Sequence, residues 1–277
     1  MAGDRITRSD FKRPSFPGWR PLVLVLLLLG ALPVPAAELP DGVEPEPTVF
    51  GPGEKMVYSI GYGMVNAGEA ILEVVGLTTY QGHTCYQLQS KANSNRFFSS
   101  FYKVRDKVTS YMDVELLYSR YFHKRLREGD YKKTVEISFD HQDEVANYAD
   151  GQRFDIMSGI QDVLSSLYFV RNLDLGSGDT YSLLAHSSRK TYDLKVIVHG
   201  RETISVEAGT FDCYVVEPVL QGEGLFKHEG RITIYVTDDQ YRVPVMIKTK
   251  VPVGSINVEL KEYHPGEPLR DRPAFTH

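Results

Sequence analysis

Eight histidines (His83, His123, His141, His186, His199, His228, His264 and His277) are the residues best suited to metal or proton chemistry in this chain. No two fall at the close spacing of a zinc-binding helix or finger. His141 stands beside Asp140 and Asp143. That stretch, Asp140 to Glu144, has the composition of a solvated turn and lacks the glycine and oxygen-ligand spacing of a calcium loop. No serine occupies a Gly-x-Ser-x-Gly elbow. Ser158-Gly159 precedes a helical pattern, as an elbow serine would, but the flanking residues are absent. Asp238-Asp239 reads as a hairpin turn. The expectation is a chain with no catalytic residue, no metal ligand and no cofactor.

Binding chemistry is better represented. Arg96-Phe97-Phe98-Ser99-Ser100-Phe101-Tyr102 packs three phenylalanines and a tyrosine into a short loop. If exposed it is a contact patch; if buried it plugs the core. Gly222-Glu223-Gly224-Leu225-Phe226 holds a matching place later in the chain, so Phe97, Phe98, Phe101 and Phe226 could rim one opening. Arg120, Lys124, Arg125, Arg127, Lys132 and Lys133 crowd a hairpin. Arg120, Lys124 and Lys132 on its outer face would attract anionic headgroups or glycans; the alternative is a charged face that keeps a sheet soluble. Cys85 and Cys213 are the only cysteines. They form either a bridge or two separate buried thiols.

These residues ride on strands. Tyr131, Lys133, Val135, Ile137 and Phe139 alternate with Lys132, Thr134, Glu136, Ser138 and Asp140, the period of a half-covered sheet. The strand pairs with 119–127 across Glu128-Gly129-Asp130. Further alternating runs start at Met56, Tyr192, Ile232 and Ile256. Pro244 and Pro252 imply an edge or irregular positions in 243–253. One amphipathic helix lies within 158–171, with Ile160, Val163, Leu164, Leu167 and Tyr168 on one stripe and Ser158 and Gln161 as a capping box. Cys85-Tyr86 and Cys213-Tyr214 sit at similar places in two similar strand series, which suggests half-repeats over 53–150 and 190–263.

Residues 1–37 have the parts of a secretory signal. Arg5, Arg8, Lys12, Arg13 and Arg20 precede an apolar run from Pro21 to Ala31, and small residues follow at Ala36-Ala37. An N-terminal inner-membrane anchor is the alternative. Either reading puts the body outside the cytoplasm, in the periplasm if the segment is cleaved. Residues 38–52, with four prolines, read as a linker, and 264–277 as a loose tail. A single β-rich domain over 53–263 remains. The formal net charge of −5 argues against nucleic acid as a partner.

Several strings, in order, resemble one family. They are Gly53-Glu54-Lys55, Tyr102-Lys103-Val104-Arg105-Asp106, Arg127-Glu128-Gly129-Asp130-Tyr131, Gln161 to Tyr168, Gly200-Arg201-Glu202, Ala208 to Cys213, and Thr237-Asp238-Asp239 through Val245. The chain resembles the exported bacterial family catalogued as domain of unknown function three-one-zero-eight over about Gly53 to Tyr263. The resemblance implies an envelope protein of Gram-negative-type bacteria and carries no catalytic residues.

The sequence therefore predicts a mainly β protein. It would be an antiparallel open or flattened barrel, or two packed half-sheets, with one amphipathic helix covering an end. The expected role is noncatalytic binding of a lipid or other amphipathic envelope ligand. Apolar strand faces would line the cavity, and a helix bearing Ile160, Leu164, Leu167 and Tyr168 would act as lid. The alternatives are an assembly scaffold for an envelope protein partner and a hydrolase of envelope glycans or lipids.

Overall fold

A computed structural model describes residues 44–63, 65–221, 231–250 and 255–270. The segment read as an export signal and Phe226 lie outside the described residues.

Among the described residues fourteen antiparallel strands follow one another around an open, barrel-like sheet. The first eight are β1 (Lys55–Tyr62), β2 (Val65–Tyr80), β3 (His83–Ser94), β4 (Arg105–Asp113), β5 (Ser119–Glu128), β6 (Tyr131–Asp140), β7 (Val145–Tyr148) and β8 (Arg153–Asp155). The rest are β9 (Thr180–Ser187), β10 (Lys190–Val206), β11 (Gly209–Gln221), β12 (Ile232–Thr237), β13 (Pro244–Lys250) and β14 (Ser255–His264). Two sequential meanders, β1 to β8 and β9 to β14, join where β1 pairs with β14. The free edges are therefore β8 and β9. A lone parallel bridge from Gln161 to Ala185 spans part of the gap between them.

The meanders repeat each other's irregularities. The pairing of β2 with β3 slips at Val74/Gly76, and that of β10 with β11 slips at Val198/Gly200. The next shifts fall at Tyr111/Met112 and Tyr235/Val236. Bulges re-aim side chains and add twist, so matched bulges curve both halves alike. The second meander starts with β9, ahead of the residue-190 boundary suggested by the sequence. Pro244 opens β13 opposite a bulge, and β13 lies between β12 and β14. Of the two placements the prolines implied, Pro244 takes the irregular one rather than an edge, and Pro252 lies outside the described residues. A missing N–H is tolerated at a strand's first residue.

Among the described residues two helices interrupt the strands, α1 (Arg96–Ser99) and α2 (Val163–Arg171). The cap of α2 is Asp162, not Ser158. Its carboxylate accepts from the Leu164 and Ser165 amides, while the Ser165 hydroxyl accepts from the Asp162 amide. Ile160 precedes the helix, and its carbonyl accepts from the Ser119 amide. The helix fills one end of the barrel rather than hinging over it. Leu164, Tyr168 and Val170 are buried, and Tyr168 meets Phe50 edge-on at 4.9 Å. Its charged end, Arg171, forms a fully buried bidentate pair with Glu54, both contacts at 2.7 Å.

The stretches read as loose are partly packed. Thr48, Val49 and Phe50 are buried in the same end as α2. In the tail, the Glu267 amide donates to the Pro52 carbonyl at 3.0 Å. A Cβ on Gly266 would come within 2.2 Å of the Gly51 oxygen, so this crossing admits only glycine. Val49 and Phe50 supply the apolar side chains that hold the described part of the proline-rich stretch in the core.

Cys85 and Cys213 are free, buried thiols on β3 and β11. Five strands stand between β3 and β11 in the sheet order. Burial, first among the causes, pushes both thiols up to about 12. The bridge left open by the sequence is not made.

Candidate functional site

Strand direction sorts the connections between two ends. The plugged end carries α2, Phe50 and the 114–118 and 238–243 turns. The opposite end gathers α1, the Gly129-Asp130 turn of β5 and β6, and the Ser188-Arg189 turn of β9 and β10. The strands flanking Phe226, β11 and β12, finish and begin at this same opposite end.

A cleft of about 180 Å3 opens along the gap between the two meanders. Phe122, Val135, Ile137 and Tyr148 supply its apolar surface, Lys124, Lys133 and Arg189 its cations, and Glu136 and Asp150 its acids. The β5 register accounts for the floor. Arg120, Phe122, Lys124, Leu126 and Glu128 share the inward face, against Lys133, Val135 and Ile137 of β6. Lys124 therefore faces inward, contrary to the outer-face expectation. Arg120 is 7% exposed and bound to Asp113 at 2.5 Å, so it is closed to any surface anion. Lys132 alone of the three is outward and exposed.

Among the described residues the salt-bridged lysines are Lys91 and Lys261. Lys124 holds its ammonium 5.9 Å from the Phe122 ring centroid. Burial, and then the nearby Lys133 charge, lower its affinity for a proton, while Glu128 and Asp106 pull the other way. Two ammonium groups beside an apolar floor make a site that an anion would relieve.

The far lip is the Ser188-Arg189 turn, both residues with left-handed φ, 50° and 67°. Such turns favour Asn-Gly, so a serine and an arginine here carry backbone strain. The Tyr148 hydroxyl fixes the turn. It accepts from the Arg189 amide at 2.9 Å and lies 2.9 Å from His186 Nε2. Burial lowers His186 to about 4, so the ring is neutral. The Arg189 guanidinium also pairs with Asp150.

Below the lysines sits a pair of buried acids, Asp106 on β4 and Glu128 on β5. The Arg127 amide donates to Asp106. Burial raises both carboxyls, and Asp106 beside it helps push Glu128 up to about 8. A carboxyl whose folded value exceeds its unfolded one favours folding while protonated. Stability should thus fall as pH rises from about 4.5 toward about 8 and then level off. Glu128→Gln is expected to flatten that slope and to stabilise the protein at pH 8 by about 1–3 kcal/mol. Urea midpoints at pH 5 and pH 8 check this; a variant less stable at pH 8 would count against it.

The aromatic residues divide. Phe98 is buried, while Phe97 and Phe101 are exposed at the same end of the barrel. Leu164 and Tyr168 belong to the core and Leu167 packs against it, while Ile160 joins a separate core cluster with Phe122 and Ile137. The helix stripe is thus core, not ligand lining. Tyr148, His186 and Arg189 were missed by sequence reasoning. The inward parity of Lys124 was visible in its spacing from Phe122 and Leu126.

No curated protein matches the sequence. Among solved structures, a β-barrel-like protein of domain of unknown function DUF1849 from Brucella abortus matches with a TM-score of 0.54 at 9% identity, covering 77% of this chain and 98% of that one. A DUF1089 family protein from Pseudomonas aeruginosa gives 0.35 at 11% identity, over 66% and 90%. A chain from Parabacteroides distasonis described as a lipoprotein gives 0.34 at 14% identity, over 79% and 99%. Among the described residues, no helix is long and apolar enough to cross a membrane. The first of these similarities extends to the fold, an open β-barrel-like sheet. The profile of the family described as Protein of unknown function (DUF3108) matches residues 57–261, and the chain belongs to that family.

Proposed function

We propose that this protein is a noncatalytic binding protein of the bacterial envelope, whose ligand is an anionic amphiphile held in the cleft between the meanders. The carrying observation is the pairing of Lys124 and Lys133 with an apolar floor of Phe122, Val135 and Tyr148. The basic, apolar and small-residue order of residues 1–37 supports export to the periplasm. At about 180 Å3 the cleft is smaller than the ~300–1,000 Å3 of drug-sized sites. It suits a headgroup and the first carbons of a chain, with the remainder outside. At the plugged end, Phe50 and the α2 side chains Leu164 and Tyr168 are buried in the core.

Dodecyl phosphate and the uncharged dodecanol are suitable probes, with calorimetry and native mass spectrometry as readouts. The phosphate is expected to bind one to one and the alcohol far more weakly. Lys133→Ala, at an exposed position, should weaken binding about tenfold, the worth of one charge-assisted hydrogen bond. Equal binding of the two probes, or an unchanged affinity in the variant, would sink the reading.

A further inference from the structure

The end of the barrel that carries α1 presents apolar side chains to water on a rigid mount. Phe97 is 67% exposed, Phe101 59% and Val65 52%. Phe97 and Phe101 meet edge to face at 5.4 Å, and both meet the buried Phe98, at 5.6 and 5.2 Å. Phe98 is thus the root of a three-ring knob. Hydrogen bonds lock the knob to the sheet. The Asn95 side chain accepts from the Phe98 amide at 2.9 Å and donates to the Asn66 carbonyl at 2.6 Å. The Ser94 and Ser99 hydroxyls meet at 2.7 Å, and Arg105 donates to the Ser94 carbonyl at 3.0 Å. A loop fastened this firmly with its rings outward is a contact device.

Its surroundings identify the partner. Arg96 and Lys103 flank the rings within the loop, and both are exposed. The adjoining β5–β6 turn adds Arg127 and Lys132, with Asp130 as its exposed acid. The turn abuts the loop directly, since the Gly129 amide donates to the Lys103 carbonyl at 2.8 Å. The cations stand out against a chain whose formal charge is −5. The shape is a convex knob, which fits a deformable surface better than a groove. Aromatic rings at headgroup depth with cations around them match an anionic bilayer interface.

We infer that this end of the barrel docks onto the surface of an anionic lipid bilayer, with Phe97 and Phe101 inserted and the loop and turn cations on the headgroups. Docking would turn the nearby cleft toward the membrane. The inference goes beyond the cleft reading and stands without it.

The test uses the full chain with a nitroxide at one of two positions, Ser100→Cys on the knob or Leu116→Cys at the opposite end. The native thiols are buried and escape labelling. Paramagnetic relaxation by oxygen and by a nickel chelate reports depth at each label, whatever residues 1–37 do. On phosphatidylglycerol vesicles, the label at 100 is expected to move into the oxygen-rich interface while that at 116 stays in water. On phosphatidylcholine vesicles, the label at 100 should stay in water. Adding Phe97→Ala and Phe101→Ala should return it to water and reduce vesicle affinity at least about tenfold. Both rings are exposed, so the double variant is expected to keep its fold, which circular dichroism checks. A label at 100 that stays in water on phosphatidylglycerol overturns the inference. So does equal burial of both labels, equal depth on both lipids, or insertion that survives loss of both rings. Capture of the knob by a protein, with the label at 100 in water on vesicles, overturns it in favour of a protein partner.

Discussion

Replacing Arg171 with alanine is expected to cost about 3–5 kcal/mol of folding stability, because it leaves the Glu54 carboxylate buried without its counter-charge. Both side chains are fully buried. The guanidinium engages four of its five donors. Two go to Glu54, the Nε–H to the Arg242 carbonyl at 2.9 Å, and another to the Tyr241 carbonyl at 3.0 Å. Its carbon lies 5.2 and 5.6 Å from the ring centroids of Tyr168 and Phe50, so the charge also rests on aromatic faces. The pair ties the end of α2 to the start of β1 and to the 238–243 turn. Removing both charges is a different experiment. Arg171→Met with Glu54→Leu should recover most of the loss, since two apolar groups leave no stranded carboxylate. Urea unfolding followed by circular dichroism measures both. A single variant that loses less than about 1 kcal/mol would show that water reaches Glu54.

Asp162→Ala should be nearly as damaging, at about 2–4 kcal/mol. One oxygen of the carboxylate accepts from the Ser110 and Ser119 hydroxyls, both at 2.5 Å. The other accepts from the amides of Leu164 at 2.6 Å and Ser165 at 3.0 Å. Alanine strands all four donors in the interior. The residue is at once a helix cap and a rivet between α2, β4 and β5. Burial raises its carboxyl against the downward pull of these donors, so the neutral amide of Asp162→Asn should cost less than alanine. Equal losses for the two variants, in the same unfolding assay, would contradict that ordering.

Much of this architecture was readable because strands with one covered face advertise their period. β6 reads off directly from Tyr131 to Asp140, and its turn from Gly129-Asp130. Matching series around Cys85-Tyr86 and Cys213-Tyr214 fall on β3 and β11. The start of α2 was misread for a specific reason. Ser158 with Gln161 satisfies the local capping rule, whereas Asp162 with Ser165 does not, although its reciprocal bonds form in the structure. What selects Asp162 is a pair of serines on β4 and β5, which no local pattern reveals. The cleft was hidden for the same kind of reason. Its lips come from opposite meanders, so Tyr148 and Arg189 meet only after the sheet has curled. Arg120 misled because a basic cluster suggests a surface, whereas its own strand parity groups it with Phe122 and Leu126. The exposure of Phe97 and Phe101 follows from the α1 turn, which points Phe98 alone inward.

Where a closed barrel would have a continuous ladder between its edge strands, the gap between β8 and β9 has the Gln161–Ala185 bridge, the Tyr148–His186 contact and the Arg189–Asp150 pair. Parting the wall along that line breaks few backbone hydrogen bonds and leaves every neighbouring ladder whole. The weakest line in the molecule therefore runs lengthwise down its flank, and strain applied across the sheet would open that seam before either rim.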